Sequence, residues 1–314
     1  ELLADCLRQL RLVDLGVIFG NIVVTAAKLT LYHLHLLAQI VIPLVLVDLL
    51  AHTLVNTALK LEKLGLMNKN AFTCTAYMPE VGNVPNKGDI LSWSESSAVV
   101  YANSVLGARC NRNSGIIDIM GSIAGFVPSF GLLKDEGRKA TWVVKIETSK
   151  KPEAQLLGSA IGMKVVEDVP YIIGLDKYLN GKLDDDAKAY LKDFGAATAS
   201  NGAVGLYHVE NITPEAVEQG RSLIADGARE YVIDDAELKR VYDSYPIIWK
   251  NKDAKPKLCF IGCPHLSMAQ LKGWSHDIKS ALKANGRRKV AVPTVLTTAP
   301  DVLEAFKKEK EYQD

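Results

Sequence analysis

The sequence predicts an α/β protein whose parallel sheets are covered by helices. From residue 141 onward, short runs rich in β-branched residues alternate with segments of helical periodicity. That order is typical of βαβα units around a parallel sheet. The chain has 314 residues, 48% of them hydrophobic, which is enough for a sizeable core in two or three lobes. From residue 66, glycine, proline and asparagine mark the element boundaries.

Residues 1–65 are interpreted as an N-terminal lobe whose type the sequence leaves open. The first 62 residues contain eighteen leucines and only two glycines, without clear turn signals. Their mixed apolar spacing predicts helices at about 1–12 and 45–65 and strand-like runs near 17–25 and 39–47. Residues 66–314 form the second region.

The elements of the second region follow from apolar periodicity and from capping and turn residues. A polar-faced helix is predicted over 94–106. Thr213 and Pro214 are a good N-cap and first-turn pair for another helix. The chain stops after a charged helix, and because a βαβα series often ends on a strand, more sequence is expected beyond residue 314. The other predicted strands are 141–147, 164–171, 204–209, 257–262 and 289–293, and the other helices are 152–162, 184–194, 272–285 and 300–311, with a further start at 233–237.

Composition excludes several classes of protein. The net charge of +1 argues against a nucleic-acid binder, and five cysteines are too few for a disulfide scaffold of this length. The most apolar stretch, 36–55, contains Pro43 and Asp48, which disfavour a membrane span. No signal peptide is visible. The sequence therefore predicts a cytoplasmic protein in a reducing compartment that binds neither nucleic acid nor membrane.

Residues 93–112 combine a carboxylate, hydroxyls, amides, two guanidinium groups and a thiol with small apolar residues. A core could not hold these groups unpaired, and a solvated surface would not need the small residues. The segment is interpreted as the lining of a pocket for a small anion. Arg109 and Arg112 could clamp a carboxylate or a phosphate through paired hydrogen bonds.

Glu95, Ser96 and Ser97 have two interpretations. They could act as acid–base and orienting groups, since a carboxylate beside hydroxyls is suited to proton transfer. They could equally cap the helix that follows, where serine and glutamate are ordinary. Residue types alone do not choose between the two.

Cys74, Cys110 and Cys263 each lie near a glycine or proline at a predicted element end. Three thiolates from separate segments suit an iron–sulfur cluster with one open iron. Without Cys-x-x-Cys pairing, however, spacing alone favours small buried hydrophobes. His265, two residues after Cys263, could ligate a metal, orient substrate or serve only the structure. A zinc site with His265 as fourth ligand is a weaker alternative.

Several motifs together resemble the catalytic large subunit of the aconitase X family. The resemblance implies an aconitase-like multi-lobe α/β fold and a hydro-lyase with an iron–sulfur cluster, 4Fe–4S before 2Fe–2S, held by three cysteines. Cys74 and Cys263 are two of the implied ligands. The third is either Cys110, where many relatives have threonine, or a cysteine that relatives carry beyond the length of this chain. Residues 1–62 align with no family motif, and Ala76 replaces a family proline. The motifs are Thr73–Tyr77, Trp93–Ala98, Asn103–Arg109, Asn111–Arg112, Phe194–Ala197, Gly205–Val209, Thr213–Ala216 and Gly262–His265.

The resemblance further implies a heterodimer, in which a small swivelling-domain subunit supplies a serine base. The implied substrate is a small anionic hydroxy acid, 5-phosphomevalonate first and cis-3-hydroxy-L-proline second. A cluster-free, non-catalytic scaffold is the alternative from another class. A phosphate would be expected to contact the N-terminal lobe. Catalytic orientation is assigned to Glu95, Ser96 and Ser97, and substrate binding to Asn103, Arg109, Asn111, Arg112 and His265.

Overall fold

The computed structural model describes residues 73–312 except 247, 249 and 252, together with residues 60, 62 and 63, which are helical. The other elements predicted over 1–65 lie outside the described residues. The strands are β1 (Ala140–Ile146), β2 (Pro170–Ile173), β3 (His208–Val209), β4 (Ile224–Ile233), β5 (Cys259–Leu266) and β6 (Thr294–Thr298). The helices are α1 (Ser96–Tyr101, continued by a π-helical stretch Ala102–Leu106), α2 (Gly115–Ala124), α3 (Ala154–Val165), α4 (Asp185–Asn201), α5 (Pro214–Gln219), α6 (Asp235–Asp243), α7 (Met268–Ala284) and α8 (Pro300–Lys307).

Two parallel sheets organise these elements, and the predicted α/β class is confirmed. The larger sheet has the order β3-β2-β1-β4, and the smaller one pairs β5 with β6. Strand β1 is buried at almost every position, as expected for a central parallel strand covered on both faces. Because all strands of a sheet run the same way, the loops after their carboxyl ends gather at one edge, where α/β proteins place ligand sites. Among the described helices, none is long and apolar enough to cross a bilayer.

The predicted boundaries shifted where tertiary contacts overrode local pattern. The strand predicted over 164–171 starts only at Pro170, because helix α3 continues to Val165 and the backbone then turns through a positive φ at Val166. Strand β6 begins at Thr294, just after the predicted 289–293. Strand β4 was not predicted. It is an edge strand, so its outward charged residues hide the alternation that marks a half-buried strand.

Helices α3 and α4 pack closely because glycines face the contact. A Cβ added at Gly158 would lie 2.4 Å from the carbonyl oxygen of Phe194 and 2.6 Å from the Cβ of Ala197. Gly162, one turn further on, is equally close to α4, since an added Cβ would be 2.7 Å from the Thr198 carbonyl oxygen. This approach fixes α4 against α3, and α4 carries residues of the candidate site described below.

Replacing Gly158 with alanine is expected to destabilise the protein by about 1–3 kcal/mol, because the new methyl group overlaps the α4 backbone and must push the helices apart. Urea denaturation measures the change. The matched control is Gly273→Ala in helix α7, where an added Cβ meets nothing within 4 Å. It should be neutral or stabilising by up to about 1 kcal/mol. Equal effects of the two substitutions would contradict the packing described here.

Candidate functional site

Two cysteine-bearing segments meet at the amino end of helix α1. Cys74 lies in a turn ahead of that helix, and Cys263 lies in strand β5. The backbone N–H of His265 donates to the Cys74 sulfur, with N···Sγ 3.2 Å. Burial raises the pKa of the Cys74 thiol, the His265 N–H opposes that rise, and negative charge on Glu95 and Cys263 adds to it. The two sulfurs therefore share one electrostatic environment.

Gly262 lets strand β5 make this approach. Its φ is +125°, a conformation that L side chains rarely adopt. An added Cβ would also lie 2.3 Å from Oγ1 of Thr297 on the neighbouring strand β6. The glycine thus allows Cys263 and the residues after it to leave the regular strand path beside Cys74.

Glu95 caps helix α1 and lies beside the sulfur pair. Its Oε2 accepts from the Ala98 N–H at 2.6 Å and from the Ser97 hydroxyl at 2.8 Å. The Ser97 hydroxyl is also 3.3 Å from the Cys74 carbonyl oxygen, and Ser96 reaches Glu95 Oε1 at 3.4 Å. Of the two interpretations that the sequence left open, capping is therefore observed. The carboxylate still acts on Cys74, whose pKa it raises.

His265 is held by contacts on its ring and its backbone. Ring Nδ1 and the Thr73 hydroxyl are 2.9 Å apart, and that hydroxyl lies 3.0 Å from the Thr75 hydroxyl. The backbone carbonyl accepts from the ammonium of Lys192 at 3.0 Å. Burial lowers the pKa of His265, and the Lys192 charge lowers it further against an opposing effect of Glu95. The imidazole is therefore kept neutral at physiological pH.

Sequence reasoning missed Lys192 and Asp193 on helix α4. Lys192 is only 1% exposed, and its ammonium pairs with the Asp193 carboxylate at 2.8 Å. The available signal was positional, because Lys192 precedes the buried Gly195 and Ala199 by three and seven residues, the spacing of one helix face. A lysine on an otherwise apolar face needs a fixed partner.

Cys110 does not join the sulfur pair. It is fully buried, and its thiol donates to the Trp93 carbonyl oxygen at 3.2 Å. Burial raises its pKa, and the carboxylate that adds to the rise is Asp118, not the groups around Cys74. Within the described part of the chain, no three His, Cys, Asp or Glu side chains converge to hold a metal ion. Of the three expected segments, those of Cys74 and Cys263 therefore contact each other, and Cys110 makes its contacts elsewhere.

Asn103, which was expected to bind substrate, instead forms its hydrogen bonds with other groups of the protein. Its Nδ2 donates to the carbonyl oxygens of Cys110 and Gly205, both at 2.8 Å. Its Oδ1 accepts from the Cys110 N–H at 2.9 Å and from Arg138 at 3.2 Å. These contacts use the full hydrogen-bonding capacity of the amide. We therefore assign Asn103, which lies in the π-helical stretch, a structural role in place of substrate contact.

Arg109, Asn111 and Arg112 were also expected to bind substrate, and they differ in how far their hydrogen-bonding groups are used within the protein. Arg109 pairs with Asp135 and donates to the Leu133 carbonyl oxygen at 2.8 Å. Asn111 donates to the Phe130 carbonyl oxygen and accepts from a backbone N–H, so it organises the following loop. Arg112 has a positive φ of 52°, and its buried Nη1 has no hydrogen-bond partner within the part of the chain that the structure describes. Of the three, Arg112 therefore retains an unpaired buried donor.

Arg138 forms the centre of a second buried network. Its Nε donates to Glu215 Oε1 at 2.7 Å, and its guanidinium also reaches Asn103 and the Leu132 carbonyl oxygen. The Arg138 carbonyl oxygen lies 2.8 Å from Nε2 of His208. Desolvation lowers the pKa of His208, against smaller opposing effects of the Arg138 carbonyl and Glu215. The network joins strand β3 and helix α5 to the π-helical stretch after α1 and to the segment directly before strand β1.

His208 makes a pH dependence of stability predictable. Because its pKa is lowered in the folded state, the unfolded chain takes up the proton first as the pH falls. The contribution of the neutral imidazole is complete above about pH 6.5 and is lost as the pH falls below that value. Urea midpoints measured between pH 8 and pH 5 should therefore fall less steeply in His208→Gln, whose amide can still donate to Arg138. Parallel pH profiles of the two proteins would count against this assignment.

A cavity of about 650 Å³ opens beside Cys263. Its lining comes from strand β5, helices α4 and α7, the start of α3 and the loop after strand β1. The carboxyl end of a strand is where ligands bind in parallel α/β folds. Lys151 lies over the Tyr190 ring, with its Nζ 4.6 Å from the ring centroid. The lining includes Lys150, Lys151, Tyr190, Asp193, Cys263 and Gln270.

Comparison with known families decides the affiliation. Residues 50–136 match the model of the aconitase X first domain, and residues 140–243 match that of the aconitase X second domain. The chain belongs to the aconitase X family. The resemblance seen in its sequence motifs is thereby confirmed, and the match begins at residue 50, within the stretch 1–62 where no family motif was recognised.

Two solved or curated relatives come from Thermococcus. A phosphomevalonate dehydratase large subunit of Thermococcus kodakarensis is 36% identical over 229 residues, which are 72% of this chain and 53% of the relative. The crystal structure of Thermococcus kodakaraensis aconitase X in its holo-form matches with a TM-score of 0.63 and 35% identity over 76% of this chain and 56% of that one. The predicted aconitase-like fold is therefore confirmed.

Other relatives of this aconitase X chain carry two different names. A phosphomevalonate dehydratase large subunit of Methanosarcina mazei is 38% identical over 67% of this chain and 48% of the relative. A cis-3-hydroxy-L-proline dehydratase of Hypocrea jecorina is 32% identical over 64% of this chain and 33% of the relative. The chain spans about half the length of the phosphomevalonate dehydratase large subunits it matches.

Proposed function

We propose that this chain acts as the large subunit of a hydro-lyase that dehydrates a small hydroxy acid, with 5-phosphomevalonate of the mevalonate pathway as the first candidate. The observation that carries the proposal is the 3.2 Å contact from the His265 N–H to the Cys74 sulfur, which joins two distant cysteine segments beside a cavity. The names of its relatives supply the reaction class.

The donor set fits an iron–sulfur cluster in part. Cys74 and Cys263 offer two thiols, and an N–H donated to sulfur is a contact that stabilises a ligating thiolate. A third cysteine ligand is not among the described residues near this pair, because the Cys110 thiol faces the Trp93 carbonyl. We propose Cys74 and Cys263 as two ligands. When bound, a 4Fe–4S cluster with an open iron supplies a Lewis acid for the leaving hydroxyl.

The residues of the chain itself bind and orient the substrate in this proposal. Arg112 has a buried donor free for a substrate carboxylate. Lys150 and Lys151 line the cavity and could receive a phosphate, a role that the sequence had assigned to the N-terminal lobe. Neutral His265 and the Glu95 carboxylate lie beside Cys74, where they can hold a water molecule or a hydroxyl group. The proton-abstracting serine comes from a small partner subunit.

The preference for a phosphorylated substrate rests on charge. Lysines at the carboxyl end of strand β1 suit a dianionic phosphate better than a zwitterionic imino acid. The phosphomevalonate-named relatives are also more similar to this chain than the hydroxyproline-named one, at 36% and 38% identity against 32%.

The test is to purify the full chain with its small subunit without oxygen, measure iron and sulfide, and follow dehydration of both candidate substrates. Turnover of 5-phosphomevalonate by an iron-containing complex supports the proposal. Faster turnover of cis-3-hydroxy-L-proline would retain the reaction class and replace the substrate. An iron-free complex that is inactive on both substrates after reconstitution would instead support a scaffold role.

A further inference from the structure

Lys192 is a buried cation whose fixed partners lie at the sulfur site. Its side chain is 1% exposed, and its ammonium donates to the His265 carbonyl oxygen at 3.0 Å and pairs with Asp193 at 2.8 Å. Burying an ammonium is costly unless it is paired and hydrogen-bonded. Leu191 and Phe194, on either side of the Lys192–Asp193 pair, are fully buried and apolar.

The peptide groups of His265 connect this cation to the sulfur pair. The N–H of His265 donates to the Cys74 sulfur, and its C=O accepts from Lys192. The same residue follows Cys263 by two positions and bonds Thr73 through its ring. Polarisation along such a chain strengthens each hydrogen bond in it. Removal of the Lys192 ammonium is therefore expected to weaken the hydrogen bond to the Cys74 sulfur, because His265 alone lies between the two groups.

The Asp193 carboxylate, which pairs with the Lys192 ammonium, is itself held in place. Asp193 Oδ2 accepts from Gln270 Nε2 at 2.9 Å, and Gln270 forms a capping box with Ser267 at the start of helix α7. Lys192 is thus held between the start of α7 and the end of strand β5. That arrangement fixes the position of its charge more closely than a single ion pair would.

We infer that Lys192 is a positioning residue whose ammonium anchors the Cys263–Pro264–His265 segment and keeps a buried positive charge beside the two thiols. The anchoring is independent of any bound group. The electrostatic part rests on the proposed function, because a positive charge near a cluster favours its reduced form.

Amide hydrogen exchange of the unloaded full chain tests the anchoring. In Lys192→Met, the backbone amides of residues 263 and 265–267 should exchange about tenfold faster, because a charge-assisted hydrogen bond on the His265 carbonyl is lost. Lys192→Arg restores a cation and should recover part of the protection. The matched control is Lys188→Met, one turn earlier on the same helix, where the side chain is 42% exposed. That variant should leave residues 263–267 unchanged.

A second measurement tests the electrostatic effect of the Lys192 charge on the cluster. In the cluster-loaded complex, Lys192→Met should shift the midpoint reduction potential to a more negative value, whereas Lys188→Met should not. Unchanged exchange in residues 263–267 together with an unchanged potential would overturn the inference. A wild-type protein that binds no iron would refute the proposed function, and the exchange experiment would still decide the role of Lys192. If Lys192→Met fails to fold, Asp193→Asn tests the same anchor and should also raise the exchange of residues 263–267.

Discussion

Replacing Cys74 or Cys263 with serine is expected to lower the dehydration rate by at least ~100-fold. A Lewis acid contributes several kcal/mol to such a step, and each 1.4 kcal/mol corresponds to a factor of ten. Serine nearly preserves the shape of the side chain but is a poor ligand for iron. The measurement combines the turnover rate with iron and sulfide content per chain, so that loss of the cluster is separated from loss of folding.

Two other cysteines serve as matched controls for that experiment. Cys259 is exposed on the same strand as Cys263, so Cys259→Ser should leave activity and iron content unchanged. Cys110→Ser should also retain iron, at some cost in stability, because its thiol contacts the Trp93 carbonyl and not the sulfur pair. Loss of iron in Cys110→Ser together with retention in Cys263→Ser would overturn the ligand assignment.

Replacing Glu215 with alanine is expected to destabilise the fold by about 3–5 kcal/mol, since it leaves a buried guanidinium without its counter-charge. The side chains of Arg138 and Glu215 are 1% and 8% exposed. The lost partner also serves a network that includes Asn103 and holds the backbone at Cys110. Urea denaturation at pH 7.5, where the imidazole of His208 is neutral, measures the change in the free energy of unfolding.

An exposed ion pair on the larger sheet serves as the control for the buried Arg138–Glu215 pair. Lys145 and Glu230 pair at 2.9 Å, but their side chains are 38% and 63% exposed. Glu230→Ala should therefore cost less than about 1 kcal/mol. The double variant Arg138→Met/Glu215→Leu should be more stable than Glu215→Ala alone, because it removes the uncompensated charge. Similar losses in Glu215→Ala and Glu230→Ala would contradict the description of Arg138 as a buried centre.

Elements with strong local signals were predictable. Strand β1 has a β-branched run, and helix α5 begins at the Thr213–Pro214 pair as expected. Strand β4 was missed because its pairing to β1 is a long-range interaction that an edge strand does not record in its own alternation. Helix α4 extends two turns past its predicted end, because Gly195 is packed within the helix against Val100 and Tyr207 and the following turns pack against α3.

The residue types of this chain by themselves determined the α/β class, the family and the candidate site residues, among them the three cysteines and Glu95. Each of these depends on local pattern or on motifs that can be recognised in order along the chain. Tertiary structure alone decided which of those groups meet. It placed the His265 N–H against the Cys74 sulfur and the Lys192 ammonium against the His265 carbonyl oxygen. It also used Asn103 and Cys110 in hydrogen bonds away from that site. The reason is physical: hydrogen bonds and charge pairs between distant segments depend on how elements pack, and no local pattern encodes that packing.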